Sequence, residues 1–185
     1  MTSTAGTPEE LATCARILAM QGLFGVHGHV SVYDARDKTV LITPGSGSAK
    51  ARLTPDDLVR ADLEGNRLEG RIGPPREWPI HMALHASRPD ALAVAHLHPP
   101  YATLFGIAKR PYRPISLHSF IFASGIPLYP SAHLITSSER GAQLAKTLEG
   151  KRAAFMRAHG VTVLARSLKE LLYTTLALED DAKKK

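Results

Sequence analysis

One short apolar run does most to limit how this chain can fold. Ala91-Leu92-Ala93-Val94-Ala95-His96-Leu97 follows Pro89 and is stopped by Pro99-Pro100. Proline has no backbone N–H and pushes the residue before it away from helical geometry. The run therefore reads as a buried strand. Such a strand needs other strands beside it and cover on its faces.

The rest of the chain supplies both. Strand-like runs stand at Val30–Tyr33, Thr39–Thr43, Ala153–Met156 and Val161–Leu164. Leu58–Leu63 alternates apolar and polar residues like a half-buried strand, and Glu64-Gly65-Asn66 reads as the turn of a hairpin. Thr7-Pro8-Glu9-Glu10 opens a helix with a cap, a proline at the first position and a Glu placed for a capping box. Leu11, Ala15, Leu18 and Ala19 give it an apolar stripe, and Gly22 ends it. Thr54-Pro55-Asp56-Asp57 opens a short helix, and Pro44–Ser48 reads as a loop. Further helices are expected from Glu77 to about Ser87, over Thr136–Leu148 before Gly150, and from Ser167, with Glu170 set for a second capping box. Strands and helices interleave, yet hairpins occur too. The expectation is an α/β fold with a mixed sheet covered by helices.

With 185 residues, 44% of them hydrophobic, the chain is expected to be one domain spanning 1–185. No apolar run is long enough for a membrane span, and MTSTAGTPEE has no signal-peptide character. A cytoplasmic protein is expected. Cys14, the sole cysteine, sits in the first helix and reads as a small core residue. The net charge of +6 is scattered, apart from Lys183–Lys185, which reads as a solvated helix end. No nucleic-acid or membrane partner is expected; a surface that attracts small anions is.

Nine histidines call for an account. His96 and His98 are two apart at a strand end, so their imidazoles share a face and can bind one metal ion, while Leu97 points into packing. Such a pair can also arise by chance in a histidine-rich chain. His159 stands at a sharp break between two apolar strands, and Gly160 allows close backbone approach there. Three histidines with an open fourth position form a known catalytic zinc arrangement, although imidazole also suits iron and other first-row metals. His81 and His85, one helical turn apart, are a second possible pair, ranked below the first. Glu77 near a helix start reads on spacing alone as a dipole-compensating residue.

Four segments stand in order: Gly28-His29-Val30-Ser31, Glu77-Trp78-Pro79-Ile80-His81, Ala95-His96-Leu97-His98-Pro99 and Arg157-Ala158-His159-Gly160-Val161. With the stretches Ile42–Val59 and Ser167–Ala182, they resemble the class II aldolase/adducin family over nearly the whole chain. That family includes fuculose-phosphate and rhamnulose-phosphate aldolases, ribulose-phosphate epimerase, methylthioribulose-phosphate dehydratase and decarboxylases of hydroxylated aromatic acids. The resemblance implies a three-layer α/β/α domain with a central mixed, largely antiparallel sheet. It makes His96, His98 and His159 ligands of one divalent metal ion per chain, zinc first, with manganese, iron or cobalt as alternatives. It makes Glu77 the acid/base, able to approach the metal in the empty enzyme. It also implies a homo-oligomer, commonly a tetramer with active sites at subunit interfaces.

The departures bear on the substrate. Sugar-phosphate aldolases of the family carry Gly-Asn-x-Ser where this chain has Gly28-His29-Val30-Ser31, and Ser-Ser where it has Pro75-Arg76. Pro75 has no donor at all. Arg76 and His29 are expected to hold a carboxylate instead, since guanidinium matches that group as a planar fork. Ser31 joins them as a substrate-binding candidate, and Gly45 and Ser46 could supply donors for an anion. The Gly-His-Val-Ser and His-Gly-Val-Thr-Val patterns look more like the decarboxylases, and Glu77-Trp78 more like the aldolases. The chain is also expected to end on its last helix, without the tail some aldolases use to cover the site.

The expected activity is that of a metal-dependent lyase of the aldolase type, working through a metal-stabilised enolate of a small hydroxy-carbonyl substrate. Decarboxylation of a hydroxylated aromatic or keto acid is the alternative. A non-catalytic, adducin-like interaction module is the second alternative; retention of all three histidines and Glu77 weighs against it.

Overall fold

A computed structural model describes residues 6–45 and 49–185. Eight strands form one sheet: β1 (His29–Asp34), β2 (Thr39–Ile42), β3 (Val59–Asp62), β4 (Arg67–Glu69), β5 (Ala93–Leu97), β6 (Leu128–Tyr129), β7 (Ala153–Met156) and β8 (Val161–Ala165). Their order is β4-β3-β2-β1-β5-β8-β7-β6. Every neighbouring pair is antiparallel except β6 and β7. The proline-bounded run, β5, lies in the middle, buried along its whole length.

Among the described residues five α-helices cover the sheet: α1 (Pro8–Met20), α2 (Pro79–Ser87), α3 (Ala102–Ala108), α4 (Ser138–Thr147) and α5 (Leu168–Lys183). Side-chain alternation sorts them into layers. Ala93, Ala95 and Leu97 of β5 pack with Val30, Val163 and Phe155 into a core that includes Leu11 and Leu18 of α1, Ala102 of α3 and Leu171 and Leu178 of α5. Val94 points the other way, into a core with Leu164, Ile80 and Leu84 of α2 and Leu144 of α4. The arrangement is the three-layer α/β/α sandwich expected from the resemblance. Gly141 lets α4 lie tight on α2, since a Cβ there would stand 2.6 Å from the Pro79 carbonyl oxygen.

Local chemistry explains the element ends. Thr7 and Glu10 form the reciprocal capping box of α1. At the 3-10 turn Pro55–Asp57 the Asp57 carboxylate accepts from both the Thr54 N–H (2.9 Å) and the Thr54 hydroxyl (2.8 Å). Ser167 caps α5 by accepting from the Glu170 N–H, while the Glu170 carboxylate reaches back to the Arg166 N–H. Two helix starts differ from expectation: α4 begins at Ser138 rather than Thr136, and α2 also starts later. α2 begins at Pro79, and Glu77 sits in the turn before it. Pro79 occupies the first helical position, where its missing N–H costs nothing. Cys14 is buried, and burial pushes its thiol up to about 12, so it is inert core. No helix among the described residues is long and apolar enough to cross a membrane.

A carboxylate on α5 ties down the segment after α3. Asp181 is fully buried and accepts from Tyr112 Oη (2.7 Å), Ser119 Oγ (2.6 Å) and the backbone N–H groups of Ser116 (2.8 Å) and Ile115 (3.1 Å). Burial alone would raise its pKa, but these donors outweigh it and hold the carboxyl well below the usual range. The sign follows: this contribution is complete above the unfolded pKa and is lost only as pH falls through the lower folded one. Asp181→Ala leaves buried donors unpaired and should cost about 3 kcal/mol. Urea unfolding checks this; a loss below about 1 kcal/mol would remove Asp181 as an anchor.

Candidate metal centre

Three imidazoles meet at the end of β5. His96 lies within the strand and His98 just beyond it. His159 stands in the turn that joins β7 to β8, next to β5. Their ring centroids are 4.8 Å (His96–His98), 4.8 Å (His96–His159) and 5.5 Å (His98–His159) apart. One ring nitrogen from each lies within 4.8 Å of the other two.

The turn geometry has a definite cause. A Cβ on Gly160 would stand 2.4 Å from the Leu97 carbonyl oxygen and 2.9 Å from the His98 ring, so only glycine allows this approach. Ala158, not Gly160, takes the left-handed conformation, with φ of 49°.

Several features fit a cation. His98 Nδ1–H donates to the Phe24 carbonyl oxygen at 3.0 Å, which leaves the lone pair on Nε2. Among the described residues, neither buried ring nitrogen of His96 nor Nδ1 of His159 makes a hydrogen bond. Leaving such groups unpaired costs about 1–3 kcal/mol each. Burial lowers the pKa of His96 far below the ordinary imidazole value and that of His98 to a lesser degree. Neutral imidazoles are the form that binds metals. Three nitrogens with an open position suit zinc, and nothing in the donor set excludes other first-row ions.

Glu77 faces this cluster from the α2 side. Its Oε2 lies 3.3 Å from His159 Nε2 and 3.6 Å from His96 Nε2. The His96 contact is not an ion pair, because that ring is neutral. Glu77 Oε1 accepts from the Ile135 N–H at 2.8 Å, which fixes the carboxylate. A second possible donor group joins a ring nitrogen of His29, Glu77 and His96, again within 4.8 Å. His29 stands directly across from His96 in the β1–β5 pairing.

The other predicted residues fare differently. Ser31 is fully buried, and its hydroxyl lies between His81 and His85, so it does not face a substrate. His81 and His85 are thereby spent on hydrogen bonds. Arg76 is exposed and makes no hydrogen bond or ion pair among the described residues, while Pro75 is buried. Gly45 donates its N–H to the Gly73 carbonyl oxygen at 3.0 Å, so that donor does not serve an anion. Ser46 lies outside the described residues. Sequence reasoning missed Lys50. It is buried and donates to the carbonyl oxygens of Pro44 and Gly45; burial pushes it down to about 8, and the carbonyls favour its charged form. It also missed Ile135, whose role is pure backbone. A groove of about 820 Å³ between α2 and α4, lined by Trp78, Met82, Ser137 and Lys146, contains none of the clustered histidines.

A sheet of this topology carrying this cluster defines a class. The chain belongs to the class II aldolase/adducin family: the model described as Class II Aldolase and Adducin N-terminal domain matches residues 9–184. The chain is 30% identical over 194 residues to the 3,4-dihydroxyphthalate decarboxylase of Rhodococcus jostii, covering 98% of this chain and 80% of that protein. It is 34% identical over 170 residues to an L-fuculose phosphate aldolase of Escherichia coli, covering 90% and 76%. The crystal structure of L-fuculose-1-phosphate aldolase from Thermus thermophilus superposes with a TM-score of 0.82 at 27% identity, covering 95% and 90%. Both activities named among these relatives are those of lyases.

Replacing His96 and His98 together by alanine should weaken zinc binding by more than about 100-fold, since even outer-shell losses at metal sites reach that scale. Far-UV circular dichroism should stay unchanged. Stoichiometric zinc retained by the double variant, read by competition with a chromophoric chelator, would place the metal elsewhere.

Proposed function

We propose that this chain is a divalent-metal carbon–carbon lyase that decarboxylates a small hydroxylated carboxylic acid. His96, His98 and His159 hold the cation, and Glu77 moves the proton. One observation carries this reading: the Glu77 carboxylate has its Oε1 fixed by the Ile135 N–H and its Oε2 set 3.3–3.6 Å from two of the three converging imidazoles.

A divalent cation held by the three histidines would supply Lewis acidity toward a substrate oxygen beside the breaking bond. The protein's own part is positioning and proton transfer. Ile135 holds Oε1, so Oε2 is the atom that exchanges the proton. When the carbon–carboxylate bond breaks, its electron pair stays on the substrate carbon and carbon dioxide leaves. A proton from Glu77 Oε2 takes the vacated place. The apolar packing of β5 and β8 beneath the cluster keeps the histidines rigid while this happens.

Decarboxylation is preferred over cleavage of a sugar phosphate because the family's phosphate donors are replaced or spent among the described residues. Pro75 has no donor, Gly45 N–H is occupied, and His29 stands where the aldolases have an amide. Likeness to the dihydroxyphthalate decarboxylases supports the same choice. Aldol cleavage is the second reading, favoured by the Glu77-Trp78 pair and by likeness to the fuculose phosphate aldolases. A cytoplasmic homotetramer belongs to this proposal. Leu117 and Phe120 are 85% and 67% exposed, with Ile115 close by, and such an apolar patch suits burial against a second copy.

Glu77→Gln should depress kcat by about 100-fold or more while zinc still binds, because it removes the proton carrier and spares the imidazoles. The assay is carbon dioxide release from a panel of dihydroxylated aromatic acids and hydroxy-keto acids, run beside ketose phosphates. Turnover confined to a ketose phosphate would reinstate the aldolase reading. Light scattering at micromolar concentration should give several times the chain mass, and a monomer would count against the assembly.

A further inference from the structure

A file of hydrogen bonds runs through the core beside the candidate centre, among groups the proposed reaction does not use. His29 Nδ1 lies 2.6 Å from His81 Nε2. His81 Nδ1 lies 2.6 Å from Ser31 Oγ, which lies 2.7 Å from His85 Nε2. His85 Nδ1 ends the file on the Ala91 carbonyl oxygen. His29 and Ser31 share one face of β1, and His81 and His85 are one turn apart on α2. None of the four residues is more than 5% exposed.

The last member of the file fixes the direction of every proton in it. A carbonyl oxygen only accepts, so His85 Nδ1 carries a hydrogen. All four residues are buried, and no carboxylate accepts a hydrogen bond from any ring of the file among the described residues, so a charged ring would be uncompensated there and each ring is neutral with a single N–H. His85 Nε2 must then accept, and Ser31 donates to it. Ser31 Oγ in turn accepts from His81 Nδ1–H. His81 Nε2 accepts from His29 Nδ1–H. His29 Nε2 is left bare, with its lone pair unused. His96, its neighbour across the sheet, takes no hydrogen bond from it, since both His96 nitrogens are unpartnered.

We propose that His29 selects the substrate: its bare Nε2 accepts a hydrogen bond from a substrate hydroxyl, and Ser31, His81 and His85 are positioning residues that lock this tautomer. The inference rests on reading the His96–His98–His159 cluster as the active centre. It has a sharp consequence. A bare ring nitrogen repels a carboxylate or phosphate, so His29 does not clamp the anion, contrary to the sequence expectation. It favours a hydroxyl donor such as a phenol, and a site built to pair with a hydroxyl discriminates strongly against analogues that lack one.

Two measurements test this. Histidine-selective 15N NMR of the zinc-free protein reads which nitrogen of each ring is protonated. All three rings should be in the Nδ1–H form, which free histidine disfavours. A His29 with its hydrogen on Nε2 would overturn the proposal. In His85→Phe, which cuts the file from its carbonyl anchor, His29 should become a mixture of tautomers; an unchanged His29 would overturn the role of the file. The second measurement is calorimetric titration of zinc-loaded protein with catechol and with its mono-O-methyl ether. His29→Phe should lower the preference for catechol by about tenfold, the equivalent of one hydrogen bond. A preference unchanged in that variant would sink the selection claim. Failure to take up zinc at all would instead refute the centre itself, a result the zinc-free spectra keep separate.

Discussion

Everything in this site depends on the two-residue period of β5. Ala93, Ala95 and Leu97 go into one core, and Val94 and His96 face the opposite layer. That alternation alone carries an imidazole through an otherwise apolar strand and delivers it, fully buried, to the side where Glu77 stands. The antiparallel neighbours extend the arrangement. Pairing with β1 sets His29 opposite His96, and pairing with β8 brings the turn that holds His159. A slip of one residue in either register would turn these side chains into the wrong layer.

The cost of this arrangement is concentrated in buried imidazoles. A neutral ring needs one donor and one acceptor contact, and the core meets that need in two ways. His81 and His85 satisfy each other's requirements through Ser31, and Ala91 closes the file. His96 has no such help; neither of its nitrogens makes a hydrogen bond among the described residues. A stranded buried nitrogen among three converging rings is an expense that a stable core avoids unless something fills the gap. The contrast between the satisfied and the unsatisfied histidines is what separates framework from candidate centre in a chain rich in this residue.

Much of this was legible in the sequence because it rests on local rules. The proline stops predicted β5, period-two spacing predicted the shared face of His96 and His98, and caps predicted α1 and α5. The stretch between α3 and α4 gave little away. Its 3-10 turn Leu117–Phe122 and two-residue β6 have no period to detect, and Asp181, from far along the chain, holds the turn in place. Long-range partnership also hid the role of the second histidine pair. Helical spacing announced that His81 and His85 share a face, but only the fold put Ser31 between them. The sequence pattern places Glu77 at the start of α2, yet it sits in the turn before Pro79, and its orientation comes from the Ile135 backbone. Lys50, buried against loop carbonyls, carries no sequence signal at all.

The central claim is that His96, His98 and His159 together hold a cation within reach of Glu77. X-ray absorption at the zinc edge, on protein loaded with one equivalent of zinc, tests this most directly. The account predicts three imidazole nitrogens completed by oxygen, with the Zn–N distance near ~2.0–2.1 Å typical of such sites. A spectrum with one imidazole or none would contradict it.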